Sequence, residues 1–201
     1  MMTPQQLYDT FREQYGEYVV PAICGVDKAC RLNKRCSVVQ SYPVIDFDGV
    51  KDCYYRGYCP TPASVDAVCV GGKRKYFCFV ELKGWKSYLE HIDKQKRSVN
   101  ETINKYNLSG KLFASKKLCE EITGLTDLFD NLPLVFILVT DIDINVSPMA
   151  SFTNMLQSLA QTSTSKHFEC VNESKEVLKS EITIQHDYVY CKDFDKHIAS
   201  L

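Results

Sequence analysis

Two carboxylates and a lysine stand close together in this chain. Asp66 is followed by fourteen other residues and then by Glu81-Leu82-Lys83. Carboxylate oxygens are ligands that Mg²⁺ prefers, and a bound ion can polarise a phosphate and acidify a water molecule. A lysine beside such an ion can orient the water or stabilise negative charge. These residue types are therefore suited to metal-assisted hydrolysis of a phosphodiester bond.

A β-hairpin is the predicted carrier of these residues. Segment 64–70 is rich in valine and is typical of a strand, 71–73 contains two glycines and predicts a turn, and the apolar segment 76–83 predicts the returning strand. A helix is expected directly afterwards. The hairpin therefore places the two parts of the motif on neighbouring strands.

Alternation along the strands determines which side chains share a face. Glu81 and Lys83 are two residues apart, so both point to one face of the sheet while Leu82 points to the other. With the turn centred at its glycines, we expect Asp66 to pair with a residue near Cys78. Glu81 then lies a few residues further along the neighbouring strand, so the carboxylates and the lysine should converge at one end of the hairpin.

The remaining segments predict an α/β protein. Helical spacing of apolar residues, and short runs rich in valine and isoleucine, indicate the other elements. They are helices at 3–18, 85–106, 111–122 and 149–160, and strands at 134–140 and 181–191. This order is typical of a mixed central sheet flanked by helices.

The length of 201 residues predicts a single domain. Within it, segment 64–140 is the expected main catalytic core. Segment 19–62 is rich in cysteine and contains only short strand-like pieces, at 37–39 and 44–47. We therefore expect a cysteine-rich loop insertion that lies outside the core sheet and has little regular structure.

The motif and its surroundings resemble the PD-(D/E)xK, or restriction-endonuclease-like, nuclease superfamily. The resemblance covers residues 64–95 most closely and consists of Asp66, an apolar strand, Glu81-x-Lys83, and a glycine and helix after it. That family has a core of a helix, a three-stranded meander, a helix and a further strand, and the predicted order agrees with it. The resemblance therefore implies a restriction-endonuclease-like core. Val65 stands where the family often has proline.

The resemblance also implies a role for each residue of the motif. Asp66 and Glu81 would bind a divalent metal, Mg²⁺ or Mn²⁺, with the backbone carbonyl of Leu82 as a further candidate ligand. Lys83 would be the catalytic lysine.

The resemblance also implies two site positions on helices. Many members have a glutamine on the helix after the motif that points towards the active site, and Gln95 borders the apolar stripe of the predicted helix 85–106. A polar residue at such a border needs a hydrogen-bond partner, which the site would supply. Many members also have an acidic residue on the first helix, for which Glu13 and Glu17 are both candidates.

Half of the ten cysteines lie in the predicted insertion, as two groups with five residues between successive members: Cys24, Cys30 and Cys36, then Cys53 and Cys59. Four thiolates could surround a structural Zn²⁺, although known sites favour cysteine pairs separated by about two to four residues. We therefore favour free or buried thiols, with structural zinc as the alternative. Nothing in the sequence indicates secretion, so disulfides are not expected.

Positive charge is concentrated in one part of a nearly neutral chain. The sequence has 24 basic and 25 acidic residues, yet segment 71–117 has twelve basic and four acidic ones, a net of +8. A local basic surface suits a polyanion that is contacted from one side. We expect this segment to flank the carboxylate end of the hairpin, with Lys86, Lys94 and Arg97 on phosphates. A solvated helix face is the alternative.

The sequence thus predicts a divalent-metal-dependent nuclease that hydrolyses phosphodiester bonds, with DNA as the expected substrate. The alternative is a catalytically silent protein of the same fold that binds nucleic acid or another protein. The intact motif favours the enzyme. A partner protein could supply the specificity, because no separate sequence-reading domain is evident. Neither an apolar run of ~20 residues nor a secretory signal is evident, so we expect no membrane partner and a cytoplasmic location.

Overall fold

One six-stranded mixed sheet runs through the protein. The computed structural model describes residues 2–26, 41–90, 98–143 and 163–201. The strands lie side by side in chain order: β1 (Val19–Val20), β2 (Val44–Asp46), β3 (Ala67–Val70), β4 (Phe77–Lys83), β5 (Leu134–Thr140) and β6 (His186–Tyr190). Neighbours from β1 to β4 are antiparallel, whereas β4, β5 and β6 run parallel. Parallel neighbours need long crossover connections, and both connections here contain helices.

Helices cover the sheet and connect its parallel strands. The described helices are α1 (Pro4–Gln14), α2 (Phe47–Tyr54), α3 (Lys86–Glu90), α4 (Val99–Ile103), α5 (Leu108–Thr123), α6 (Ser163–Glu181) and α7 (Phe194–Ser200), with 3₁₀ turns at Gly16–Tyr18, Ile23–Gly25 and Cys191–Asp193. A capping box starts α1: the Thr3 hydroxyl accepts from the Gln6 N–H, and the Gln6 side chain accepts from the Thr3 N–H. Among the described helices, none combines the length and apolar character needed to cross a membrane.

Apolar side chains pack on both faces of the sheet. Phe77 and Phe79 of β4 are fully buried in the larger core, to which α1, α2, α4, α5 and α6 contribute. Val80 is fully buried in the smaller core on the other face, together with Phe194 of α7. Because side chains alternate along a strand, Glu81 points to the same face as the two phenylalanines. The site described below therefore lies on the side of the larger core.

Most of the elements predicted around the motif are confirmed. The strand predicted at 134–140 is β5 with the same bounds, and the hairpin predicted at 64–83 is β3 and β4 with a shorter first strand. The helices predicted at 3–18 and 111–122 are α1 and α5, with different ends. The α/β class, with a mixed sheet flanked by helices, is therefore confirmed.

The prediction of one long helix at 85–106 is wrong. The described residues of this segment form α3 and α4, and Ser98 is the N-cap at which α4 begins. The Ser98 hydroxyl accepts a hydrogen bond from the Glu101 N–H (3.2 Å), and the Glu101 carboxylate accepts one from the Ser98 N–H (2.8 Å). This capping box holds Ser98 in an extended conformation and so starts a new helix. Four residues of the predicted apolar stripe are nevertheless buried: Trp85, Val99, Ile103 and Tyr106.

The loop insertion predicted at 19–62 is wrong for residues 19–20 and 44–54, whereas the described residues 55–62 form neither helix nor strand. β1 and β2 extend the central sheet, and α2 follows β2 directly. Phe47, the first residue of α2, is fully buried in the larger core. Asp46 caps this helix by accepting a hydrogen bond from the Gly49 N–H (3.0 Å). An aspartate followed by an apolar residue is a helix-start signal, and the cysteine-rich composition concealed it.

Four further predicted elements remain. The strand-like piece at 44–47 is confirmed as β2. The strand predicted at 181–191 is confirmed only for β6, because α6 extends through Glu181. The helix predicted at 149–160 and the strand-like piece at 37–39 lie outside the described residues. The last helix of the chain, α7, was not anticipated by any pattern in the sequence.

Candidate active site

The start of β3 and the end of β4 bring the predicted carboxylates together. Ala67 pairs with Val80 in the antiparallel ladder, so the next residues, Asp66 and Glu81, lie opposite each other. Directly opposite residues of an antiparallel pair point to the same face. Lys83 lies two residues further along that face of β4. The two carboxylates and the lysine thus stand at one end of the hairpin.

The expected pairing of Asp66 with a residue near Cys78 is wrong. Cys78 pairs with Cys69, and the Gly71 N–H donates to the Tyr76 carbonyl (2.9 Å). The first glycine therefore still belongs to the ladder, and the turn is centred beyond the glycines. Because the ladder continues past the first glycine, the cross-strand neighbour of Asp66 is Glu81.

The strand ladder opens at the carboxylates. In a continued ladder, Leu82 would exchange both of its backbone hydrogen bonds with Val65. Instead, the Leu82 N–H donates to Oδ2 of Asp66 (2.6 Å), and the Val65 N–H donates to Oγ of Ser115 (2.9 Å). The N–H and C=O of one strand residue point to the same side. The Leu82 carbonyl, a candidate ligand, therefore faces the side of β4 on which Asp66 lies.

Glu81 is buried and is compensated by two lysines. Its side chain has no exposed surface, and its Oε1 lies 2.5 Å from Nζ of Lys83 and 2.6 Å from Nζ of Lys111. The second oxygen, Oε2, is buried and has no hydrogen-bond partner among the described residues. A buried carboxylate oxygen without a partner is unfavourable. Oε2 is therefore the atom of this site that most needs a ligand.

Asp66 binds its proton more tightly than an exposed aspartate does. Burial, followed by the negative charge of Glu81, raises the pKa of Asp66 to about 7. Lys111, the Leu82 N–H and Lys83 act in the opposite direction without cancelling that rise. A cation bound beside Asp66 would favour its ionised form. The pKa of Asp66 therefore lies near neutral pH in the absence of a cation.

Lys111 is a site residue that the sequence analysis did not single out. It lies at the start of α5, on the same side of the helix as the buried residues Leu108, Leu112 and Ser115. A charged residue at a core-facing position of an amphipathic helix needs a partner inside the core, and that position is the signal that identifies it. Burial alone would lower the pKa of Lys111, but the charges of Glu81 and Asp66 outweigh it and raise that pKa. Lys111 therefore stays charged.

A third carboxylate, Asp48 of α2, borders the site. It accepts hydrogen bonds from the Ser64 hydroxyl and from Nζ of Lys51, the latter at 2.9 Å. Its charge also contributes to the raised pKa of Lys111. Asp48 was missed because its segment was assigned to a loop insertion, which concealed the helix that places it beside the hairpin.

The other predicted site residues that the structure describes, apart from the cysteines, do not join this cluster. Glu13 and Glu17, the candidate first-helix acids, are exposed. Lys86 is exposed at the start of α3, where its N–H donates to the Asp141 carboxylate (3.2 Å). Those that lie outside the described residues, and whose roles stay predictions, are Lys94, Gln95 and Arg97.

The basic segment 71–117 flanks the carboxylates only in part. Lys83, Lys86 and Lys111 lie at the end of the sheet where β4 finishes. Residues 73–75 occupy the hairpin turn, at the opposite end of β3 and β4, which a strand of this length separates from the carboxylates by about 20 Å. The expectation that the whole segment flanks the carboxylates is therefore wrong for the turn.

The described cysteines of the predicted zinc alternative are spread over the protein. Cys24 packs against the smaller core, Cys53 lies beside Tyr18 next to the larger core, and Cys59 is exposed. Within the described ranges, no group of three or more histidine, cysteine, aspartate or glutamate side chains could hold a metal ion. The two cysteines outside the described residues are Cys30 and Cys36. Structural zinc therefore stays an untested alternative.

The available oxygens of the carboxylate cluster fit a hard divalent cation. Mg²⁺ typically binds through one or two carboxylates and keeps several waters. The cluster offers the Asp66 carboxylate, Oε2 of Glu81 and the Leu82 carbonyl. The buried position of Oε2, without a hydrogen-bond partner in the described part of the chain, is the observation that supports this fit.

Comparisons of the chain with family models, with curated proteins and with solved structures found no match. The α/β architecture with its six-stranded mixed sheet is shown by the structure itself. The geometry and chemistry of the carboxylate cluster therefore carry the functional conclusion.

Proposed function

We propose that this chain is a divalent-metal-dependent nuclease that hydrolyses phosphodiester bonds in DNA. The observation that carries the proposal is the meeting of Asp66, Glu81 and Lys83 at one end of β3 and β4, with one oxygen of the buried glutamate unpaired. Buried charges of this kind are often replaceable by apolar residues at no loss of stability. A chemical use for the cluster accounts for its position better than a structural one.

Each residue of the cluster has a role in this proposal. Asp66, Glu81 and the Leu82 carbonyl would hold Mg²⁺ or Mn²⁺, which when bound supplies polarisation of the phosphate and acidification of a water molecule. Lys83 would turn from Oε1 of Glu81 to the substrate, where it orients the water or stabilises the charge that develops on the phosphate. The amine of Lys83 lies 5.0 Å from the centre of the Tyr106 ring, a contact that keeps the cation near the site.

The order of elements supports a restriction-endonuclease-like core. After α1 and the short strand β1 come the antiparallel strands β2, β3 and β4, with α2 between β2 and β3. The helices α3, α4 and α5 follow, and then β5, which runs parallel to β4. The resemblance noted for the motif implies the same order without β1 and α2. In this assignment the helix that reaches the carboxylates is α5, which contributes Lys111, and β6 with α6 and α7 would be additions to the core.

DNA is the proposed substrate because positive charge follows the motif directly along the chain. Lys86, Lys94 and Arg97 would contact phosphates, which position a nucleic acid without reading its sequence. A partner protein would then supply the specificity. We place this activity in the cytoplasm.

Cleavage assays with a matched lysine control test the proposal. Wild-type protein, Lys83→Ala and Lys179→Ala are each incubated with plasmid, single-stranded DNA and RNA, with Mg²⁺, with Mn²⁺ or with a chelator. Lys179 is an exposed lysine of α6 that pairs with Glu176 at 3.0 Å, away from the cluster. We expect wild type and Lys179→Ala to cleave DNA only with metal, and Lys83→Ala to be slower by about 100-fold or more.

The same assays can overturn the proposal. A wild-type protein that binds DNA but cleaves no substrate with either metal would instead be a silent nucleic-acid-binding protein of this fold. Equal cleavage rates for wild type and Lys83→Ala would show that Lys83 has no catalytic role. Cleavage of RNA alone would correct the substrate.

A further inference from the structure

We propose that Lys111 is a positioning residue of this site, which holds Glu81 in place and compensates its charge while Lys83 acts on the substrate. The proposal rests on the proposed nuclease function. It concerns a residue outside the Glu-x-Lys motif, contributed by a helix that follows the motif by thirty residues.

The two lysines approach the same atom of Glu81. Lys83 and Lys111 contact Oε1 at 2.5 Å and 2.6 Å, and the glutamate side chain is fully buried. If Lys83 turned away with no second lysine present, a buried carboxylate would lose its compensating charge, which is strongly unfavourable. Lys111 removes that obstacle. It also leaves Oε2 as the oxygen of Glu81 that has no hydrogen-bond partner among the described residues and that a cation could bind.

The helix that carries Lys111 is anchored at two points. The start of α5 is tied to α6, since the Ser109 N–H donates to Oε2 of Glu181 (3.0 Å). The same helix is tied to the residue before Asp66, since the Val65 N–H donates to the hydroxyl of Ser115. Lys83 is the last residue of β4, where it pairs with Thr140 of β5, and it precedes the exposed Gly84. The helix can therefore hold Lys111 on Glu81 while the side chain of Lys83 moves.

Substitutions of Lys111 can separate positioning from a merely structural role. The variants are Lys111→Met, Lys111→Arg and the control Lys179→Met, which changes an exposed lysine of α6 that lies 3.0 Å from Glu176 and outside the basic segment 71–117. Each is measured for its melting temperature with and without Mn²⁺, and for kcat and KM on DNA.

We expect the loss of the buried lysine to affect catalysis and metal response together. Lys111→Met should lower kcat by about tenfold or more with little change in KM, as the removal of a partner of a metal ligand does. Its melting temperature should fall, and Mn²⁺ should raise it by more than it raises that of wild type, because the cation replaces the missing positive charge. Lys111→Arg should restore part of kcat. Lys179→Met should match wild type in every measurement.

Two results would overturn the proposal. One is a kcat of Lys111→Met equal to that of wild type, and the other is an equal rise in melting temperature with Mn²⁺ in the variant and in wild type. Should Lys111→Met fail to fold, the change is made in a Glu81→Gln background, where Lys111 no longer faces a charge. A smaller loss of melting temperature there supports the pairing, and an equal loss overturns it. A wild-type protein that cleaves no DNA overturns the proposed function, whereas the melting measurements still decide the role of Lys111.

Discussion

Replacing Asp66 with asparagine should change how the stability of the metal-free protein depends on pH. In the folded protein, burial and the charge of Glu81 raise the pKa of Asp66 from 3.8 to about 7. The folded state therefore binds this proton more tightly than the unfolded chain does. The stabilisation is fully present below about pH 4 and is lost as the pH rises through about 7. Asparagine is neutral throughout, so Asp66→Asn lacks this dependence.

The size of the effect follows from the shift in pKa. Over the whole range the shift corresponds to about 4 kcal/mol of unfolding free energy. Between about pH 5 and about pH 8, wild type should lose about 2.5 kcal/mol relative to Asp66→Asn. The asparagine oxygen can still accept the hydrogen bond from the Leu82 N–H, which Oδ2 of Asp66 accepts at 2.6 Å. The comparison therefore isolates the charge.

Urea denaturation at several pH values, with a chelator present, measures this difference. Thr126→Ala, a change at an exposed uncharged side chain, serves as the control and should follow the pH dependence of wild type. Addition of Mg²⁺ at about pH 8 should restore stability to wild type far more than to Asp66→Asn, because the cation replaces the proton on the carboxylate.

A constant difference between wild type and Asp66→Asn across this pH range would refute the reasoning. So would a difference that grows in favour of wild type as the pH rises. Either result would mean that Asp66 is ionised in the folded protein at low pH, and hence that its burial beside Glu81 is less complete than the structure indicates.

Two further predictions concern binding and folding. Changing both Lys94 and Arg97 to glutamate should weaken DNA binding and reduce the slope of log affinity against log salt by about 0.7–0.9 per lost phosphate contact, measured by fluorescence anisotropy; unchanged affinity and slope would mean that this segment is only solvated surface. Ser98→Ala removes the capping box of α4 and should lower the unfolding free energy by about 1 kcal/mol in urea denaturation, whereas a loss equal to that of Thr126→Ala would show that the cap is unimportant.

The fold was predictable where a local pattern has one structural meaning. The apolar, branched run 134–140 is a buried strand by composition and length, and β5 has those bounds. Helical periodicity in 85–106 was ambiguous, because Val99 and Ile103 face the core whether the helix is continuous or starts again at Ser98. The periodicity indicates which residues are buried but does not indicate where one helix ends and the next begins. The serine and glutamate of the capping box were the signal for the break.

The site was predictable only as far as the motif is local. Glu81 and Lys83 share a face because they are two residues apart on one strand, and that relation needs no tertiary structure. The predicted partner of Asp66 depended on where the hairpin turn is centred. The two glycines suggested the wrong centre, because Gly71 is still paired in the ladder. Helical spacing places Lys111 on the core-facing side of α5, but its partner Glu81 is set by the packing of α5 on the sheet, which that spacing does not specify.

The position of the carboxylates explains why a lysine from a distant helix is needed. Asp66 and Glu81 lie directly opposite each other, and like charges in that relation destabilise a strand pair. The motif itself contributes only one compensating charge, on Lys83, and the proposed chemistry requires that charge at the substrate. The second charge comes from Lys111, so Glu81 faces two lysines only once α5 has packed against β4. The motif therefore supplies the reactive groups, and the tertiary fold makes their burial tolerable.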